Sequence, residues 1–164
     1  MSGQAQKNFP KKNLALLLLL APLIIPLVAI SLVCIALNRG VTYLLIWLTW
    51  LPQGKNVLFV SSESPVWQQY MAEQILPLVK ERAIVLNWSE RSRWPWWSFP
   101  AHVFRTFAGT REFNPLVLVF RPLHRKLSFR FFRAFRDWKH GDPGMVDQLR
   151  RDLMAALPLT PSSP

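Results

Sequence analysis

The chain has 164 residues, 51% of them hydrophobic, with a formal net charge of +11. Setting aside the first 52 as tail and membrane-associated sequence leaves about 110, enough for one small domain and no more. The single cysteine, Cys34, excludes an intramolecular disulfide, and the basic balance favours anionic partners such as phospholipid headgroups, nucleic acid or phosphorylated small molecules.

Residues 1–13 read as a basic tail carrying Lys7, Lys11 and Lys12. Leu14 to Leu37 follows, 24 residues without a charged side chain. As a helix it reaches roughly 36 Å, enough to cross a hydrocarbon core of about 30 Å. A cleaved signal would have a shorter apolar core of about 7 to 15 residues and a small-residue cleavage site. A helix of a soluble domain is disfavoured too, because 24 residues apolar on every face leave no solvent side. Residues 14–37 are therefore expected as a transmembrane helix kinked at Pro22 and Pro26, or a re-entrant one bent there. Asn38, Arg39 and Gly40 read as a break, and residues 41–51 as an interfacial or half-inserted helix, too short to cross and containing Tyr43, Trp47 and Trp50. Basic residues flank both ends of the apolar run, so charge does not settle its orientation. The Arg-rich sequence after residue 80 and the lack of disulfides point to an inner or plasma membrane with the following domain cytoplasmic.

Residues 55–157 read as a small α/β domain. Val57 to Val60, Ala83 to Trp88 and Leu116 to Phe120 are apolar runs bounded by turn signals, as expected of buried strands. Between the first two, Ser64 and Pro65 open a helix carrying Trp67, Met71, Ile75, Leu78 and Val79 at helical spacing. Between the next two lie an aromatic loop and a short helix over Ala101 to Phe107. This order predicts a three-layer unit with a short, about three-stranded, parallel Rossmann-like sheet. Lys126 to Lys139 and a segment starting at Asp142–Pro143 are expected as two further helices, and residues 158–164 as a disordered tail.

In an open parallel sheet, ligands bind beyond the carboxyl ends of the strands. There the sequence places Ser61, Ser62 and Ser64, then Arg91 and Arg93, then Arg121 and Arg125, a set suited to a phosphate or carboxylate. The phosphate-cradling glycine patterns are absent, as is a G-x-S-x-G elbow. The histidines are isolated and the one cysteine lies in the apolar run, so no catalytic residue, metal site or cofactor is expected. Tyr43, Trp47, Trp50, Trp94, Trp96 and Trp97 are expected to form a membrane-interface belt.

The leading expectation is a membrane-anchored, non-enzymatic accessory or assembly protein. Its partners would be a bilayer with anionic headgroups and a membrane protein, or a second copy of the chain. The alternative is a small enzyme or binding protein for an anionic, phosphate-bearing ligand at the strand ends. Nucleic acid ranks below both as a partner.

Overall fold

A computed structural model describes residues 11–111 and 114–157, with side chains from residue 20 onward. The expected tail over 158–164 and most of the basic tail over 1–13 lie outside the described residues. The chain divides into two compact units, residues 1–40 and 41–164.

One helix, α1, runs from Lys11–Thr49 without interruption, with Pro22 and Pro26 inside it. The expected break at Asn38 to Gly40 does not occur, so residues 41–51 are not a separate helix. A glycine in a helix costs only about 1 kcal/mol relative to alanine. From residue 22 to residue 41 every position is exposed, and the helix is long and apolar enough to cross a membrane, with a mean hydropathy of 2.7 over an 18-residue stretch.

The second unit is built on a four-stranded sheet. Its strands are β1 (Val57–Ser61), β2 (Ala83–Asn87), β3 (Leu116–Val119) and β4 (Leu127–Arg130), in the order β2-β1-β3-β4. The α/β class is as expected, but the sheet is mixed: β1 pairs with β2 in parallel, while β3 is antiparallel to both β1 and β4. The reason lies between β2 and β3. A 3₁₀ segment, Trp88–Arg93, and the loop after it carry the chain back along the sheet before the helix over Phe99–Phe107 starts. Phe99 packs on Trp50, which leads into the start of β1. Past the other end of that helix, the carbonyl of Ala108 accepts from Arg130, the residue opposite Leu116. The chain thus makes two passes instead of one, and β3 enters from the end where β1 leaves.

Strand alternation sorts the core into two layers. Val57, Phe59, Val117 and Val119 face a helical segment over residues 68–79 together with α5 (Phe132–Lys139) and α6 (Gly144–Ala156). Here α2 (Gln68–Tyr70) continues as a π-helical stretch, Met71–Ile75, and as α3 (Leu76–Val79). The widened turns precede Pro77, which has no N–H to offer the preceding turn. Leu58, Val60, Leu118 and Phe120 face α4 (Phe99–Phe107) and the last turns of α1, which contribute Ile46 and Trp50.

The expected helix over Lys126 to Lys139 is half strand. Leu127, Ser128, Phe129, Arg130 and Phe131 alternate, with Phe129 and Phe131 buried and Ser128 exposed, which is a two-residue period. Only Phe132–Lys139 is helical.

Candidate functional site

The antiparallel β3 takes the proposed anion site apart. Ser61 ends β1 opposite Asn87, at the end of the sheet where β3 begins with Leu116. Arg121 follows Phe120, whose N–H donates to the Asn56 carbonyl (2.8 Å) at the start of β1. Arg125 precedes β4, whose Leu127 pairs with Val119 at that same far end. Arg121 and Arg125 therefore sit across the length of the sheet from Ser61, Ser62 and Ser64. Arg91 stacks over the Trp88 ring at 5.0 Å, and Arg93 is exposed.

Asn114 takes the place expected for the arginines. Its amide donates to Ser62 Oγ (2.8 Å), which also accepts from Trp67 Nε1 (3.2 Å). Asn87 Nδ2 donates to Glu63 Oε1 (2.9 Å), and the Glu63 N–H donates to Ser89 Oγ (3.0 Å). Asn87 Oδ1 in turn accepts from the Ser89 N–H (3.0 Å). Ser64 Oγ serves its own turn, accepting from the Val66 N–H (3.4 Å). The strand ends are thus a self-bonded polar network that holds a carboxylate, an unfavourable neighbour for a phosphate. Sequence reasoning missed Asn114 because it assumed that β3 enters from the other end. A shallow groove of about 240 Å³ runs from this network along β2, lined by Phe59, Ser62, Glu63, Leu76 and Val85. The outer edge of β2 pairs with no described strand and carries no charge or proline within Ala83–Asn87.

The expected aromatic belt is divided. Trp50 is buried against Phe99 and Phe120, and Tyr43 packs edge-on against Phe107 and Phe120. Trp47 and Trp94 are partly buried against the same layer. Only Trp96 and Trp97 stand out from the surface, 80% and 71% exposed. The face that α1 turns outward in the second unit is aliphatic instead: Val41, Leu44, Leu45 and Leu48 are exposed. Two features explain the inversion. Large rings fill the gap over the sheet, and the Tyr43 hydroxyl reaches the backbone N–H of Lys126 (2.8 Å). Thr42 is buried beside them, its hydroxyl 3.1 Å from His102 Nε2.

On the opposite layer Trp67, Tyr70, Phe135 and Trp138 form a ring cluster, with Tyr70 edge-on to Phe135 and Trp138 and Phe135 stacked on Trp138. Val66 and Trp138 line two open grooves there, of about 300 and 340 Å³. Burial pushes the Tyr70 phenol above its ordinary range, with Asp147 adding to the effect and Arg150 opposing it, and its hydroxyl has no partner among the described residues. The neutral form is the one folding favours. This contribution is complete below pH about 10 and is lost as pH rises through the folded-state value. Tyr70→Phe is therefore expected to hold or raise the Tm at neutral pH, by up to about 1 kcal/mol of stability, and to reduce the loss at alkaline pH. A lower Tm at neutral pH would contradict this account.

The fold and its surfaces define an α/β protein carrying a membrane-length apolar helix. The chain matches no protein-family model, no curated protein and no solved structure.

Proposed function

We propose that this chain is a membrane-anchored, non-enzymatic accessory or assembly protein whose basic domain docks on the bilayer surface and on a membrane-protein partner, on the cytoplasmic side of an inner or plasma membrane. The observation that carries the reading is the double role of α1. Its first part is apolar on every described face, and its last turns, through Ile46 and Trp50, form part of the domain core. A domain built around the end of its own anchor works at the membrane. The unpaired β2 edge and the grooves at Val66 and Trp138 offer surface to a partner chain. A phosphate-binding activity at the strand ends finds little support, since Arg121 and Arg125 are at the far end of the sheet and Arg91 is stacked on Trp88. Replacing Arg91 and Arg121 by Ala is accordingly expected to leave thermal stability in phosphate unchanged.

Affinity purification of the full chain in mild detergent tests the proposal. The expected result is a stoichiometric membrane-protein partner. Recovery of the chain alone, as a monomer, would overturn the assembly role.

A further inference from the structure

We propose that one face of the second unit lies in the headgroup layer of an anionic bilayer: the exposed stripe Val41, Leu44, Leu45 and Leu48 together with the β3–β4 loop that carries Leu123 at its tip. The inference rests on the membrane-anchored reading and assigns the surface that meets the lipid.

The stripe has the spacing of a single helix face, three, four and seven residues from Val41, and its members are 54%, 52%, 39% and 64% exposed. The other side of the same turns, Thr42, Ile46 and Trp50, is buried in the domain. Water is a poor solvent for four aliphatic side chains in a row. Acyl chains are a good one.

The loop is tied to this helix. Its Lys126 N–H donates to the Tyr43 hydroxyl (2.8 Å), and the Tyr43 ring is set against Phe107 and Phe120. A turn presents its tip: the His124 N–H donates to the Arg121 carbonyl (3.3 Å), and His124 Nδ1 donates to the Pro122 carbonyl (2.7 Å). Leu123, with φ 60°, is 86% exposed, the most exposed of the large hydrophobic side chains among the described residues. Around it stand Arg121, Arg125 and Lys126, and no acidic residue occurs from Asn114 to Arg136.

Bilayers accept this combination of an apolar tip and a cationic collar. The leucine enters the acyl boundary while the cations meet lipid phosphates, their stems lying along the interface. A soluble phosphate or a nucleic acid would satisfy the cations but leave Leu123 and the stripe in water. Chain length places the loop within reach whatever the orientation of the second unit. Tyr43 is six residues past Leu37, at most about 21 Å along an extended chain. Val85 lies in β2, at the sheet edge opposite β4, in register with Phe59 of the layer away from α1, and is 53% exposed, so it serves as an internal control.

The test uses the full chain with Cys34→Ser and one new cysteine, Leu123→Cys, Leu48→Cys or Val85→Cys, each labelled with an environment-sensitive fluorophore. The proteins are reconstituted into phosphatidylcholine vesicles with or without phosphatidylglycerol. With phosphatidylglycerol present, the probes at 123 and 48 are expected to shift to the blue and to be quenched by a nitroxide lipid labelled just below the headgroup. The probe at 85 should remain in water. Adding Arg125→Gln should lower the docked-to-undocked ratio at 123 about fivefold. Water-like emission at 123 and 48 from protein that floats with the vesicles after alkaline extraction would overturn the docking face and leave the anchor standing. Protein that does not float would overturn both. A shift at 123 that follows added inorganic phosphate instead of phosphatidylglycerol would assign the loop to a soluble anion and overturn the proposal.

Discussion

A fragment beginning at residue 53 is expected not to fold, whereas one beginning at Val41 should unfold cooperatively. The boundary that composition suggests, after residue 52, cuts away one layer of the domain. Ile46 and Trp50 are 0% and 4% exposed in the full structure and cover Leu58, Val60, Leu118 and Phe120. Truncating a buried Ile or Trp to Ala costs about 2–5 and 3–5 kcal/mol respectively. Losing both, with the sheet face opened to water as well, removes most of the roughly 5–15 kcal/mol that a domain of this size has. Thermal melts followed by circular dichroism distinguish the two fragments. A sharp transition in the residue-53 fragment would show that α1 is dispensable to the core. The point mutants Ile46→Ala and Trp50→Ala should give graded versions of the same loss in the full chain.

The first three strands were legible because each is an apolar run between turn signals, rich in β-branched residues and too short for a helix. Their direction was not. Whether β3 enters from one end of the sheet or the other depends on how the chain from Trp88 to Ser98 lies against the sheet, and that segment carries tryptophans and arginines with no periodicity to read. β4 was legible in principle. Leu127, Phe129 and Phe131 alternate with Ser128 and Arg130, but the same apolar residues also fit a helical stripe that continues through Phe135 and Trp138. Short apolar runs do not separate the two periods. The candidate site followed the strand direction. Once β3 is reversed, Arg121 and Arg125 exchange places with Asn114, and a cationic pocket becomes a network of amides and hydroxyls that also holds the Glu63 carboxylate.

The aromatic residues of 41–51 show a related limit. Tyr and Trp favour both interfaces and small-domain cores, and composition cannot choose between them. The structure chose the core for Tyr43, Trp47 and Trp50 because α1 does not stop at Gly40. A Cβ at Gly40 would meet nothing within 4 Å, so the glycine answers to no close approach there. Continuity of the helix carries the aromatic face onto the sheet and leaves Val41, Leu44, Leu45 and Leu48 outward.

Membrane association is expected to survive one arginine in the apolar run and to fail with three. Leu14 to Leu37 contains 16 Leu, Ile and Val residues. At roughly 0.3–0.6 kcal/mol each, they favour insertion by about 5–10 kcal/mol. One central arginine costs about 3 kcal/mol and leaves the balance favourable. Ile24→Arg, Val28→Arg and Leu32→Arg together cost about 8–10 kcal/mol and also remove three favourable residues, which turns the sign. These positions are 41%, 50% and 61% exposed, so the substitutions disturb no packing in the second unit, and its fold should survive. Alkaline extraction separates the outcomes. The single Ile24→Arg variant should remain in the pellet with the membranes, and the triple variant should move to the supernatant with its circular dichroism melt retained. A triple variant that stays with the membranes would mean that the second unit holds the bilayer without its anchor, and the stripe and Leu123 would then carry the binding that the helix was thought to supply.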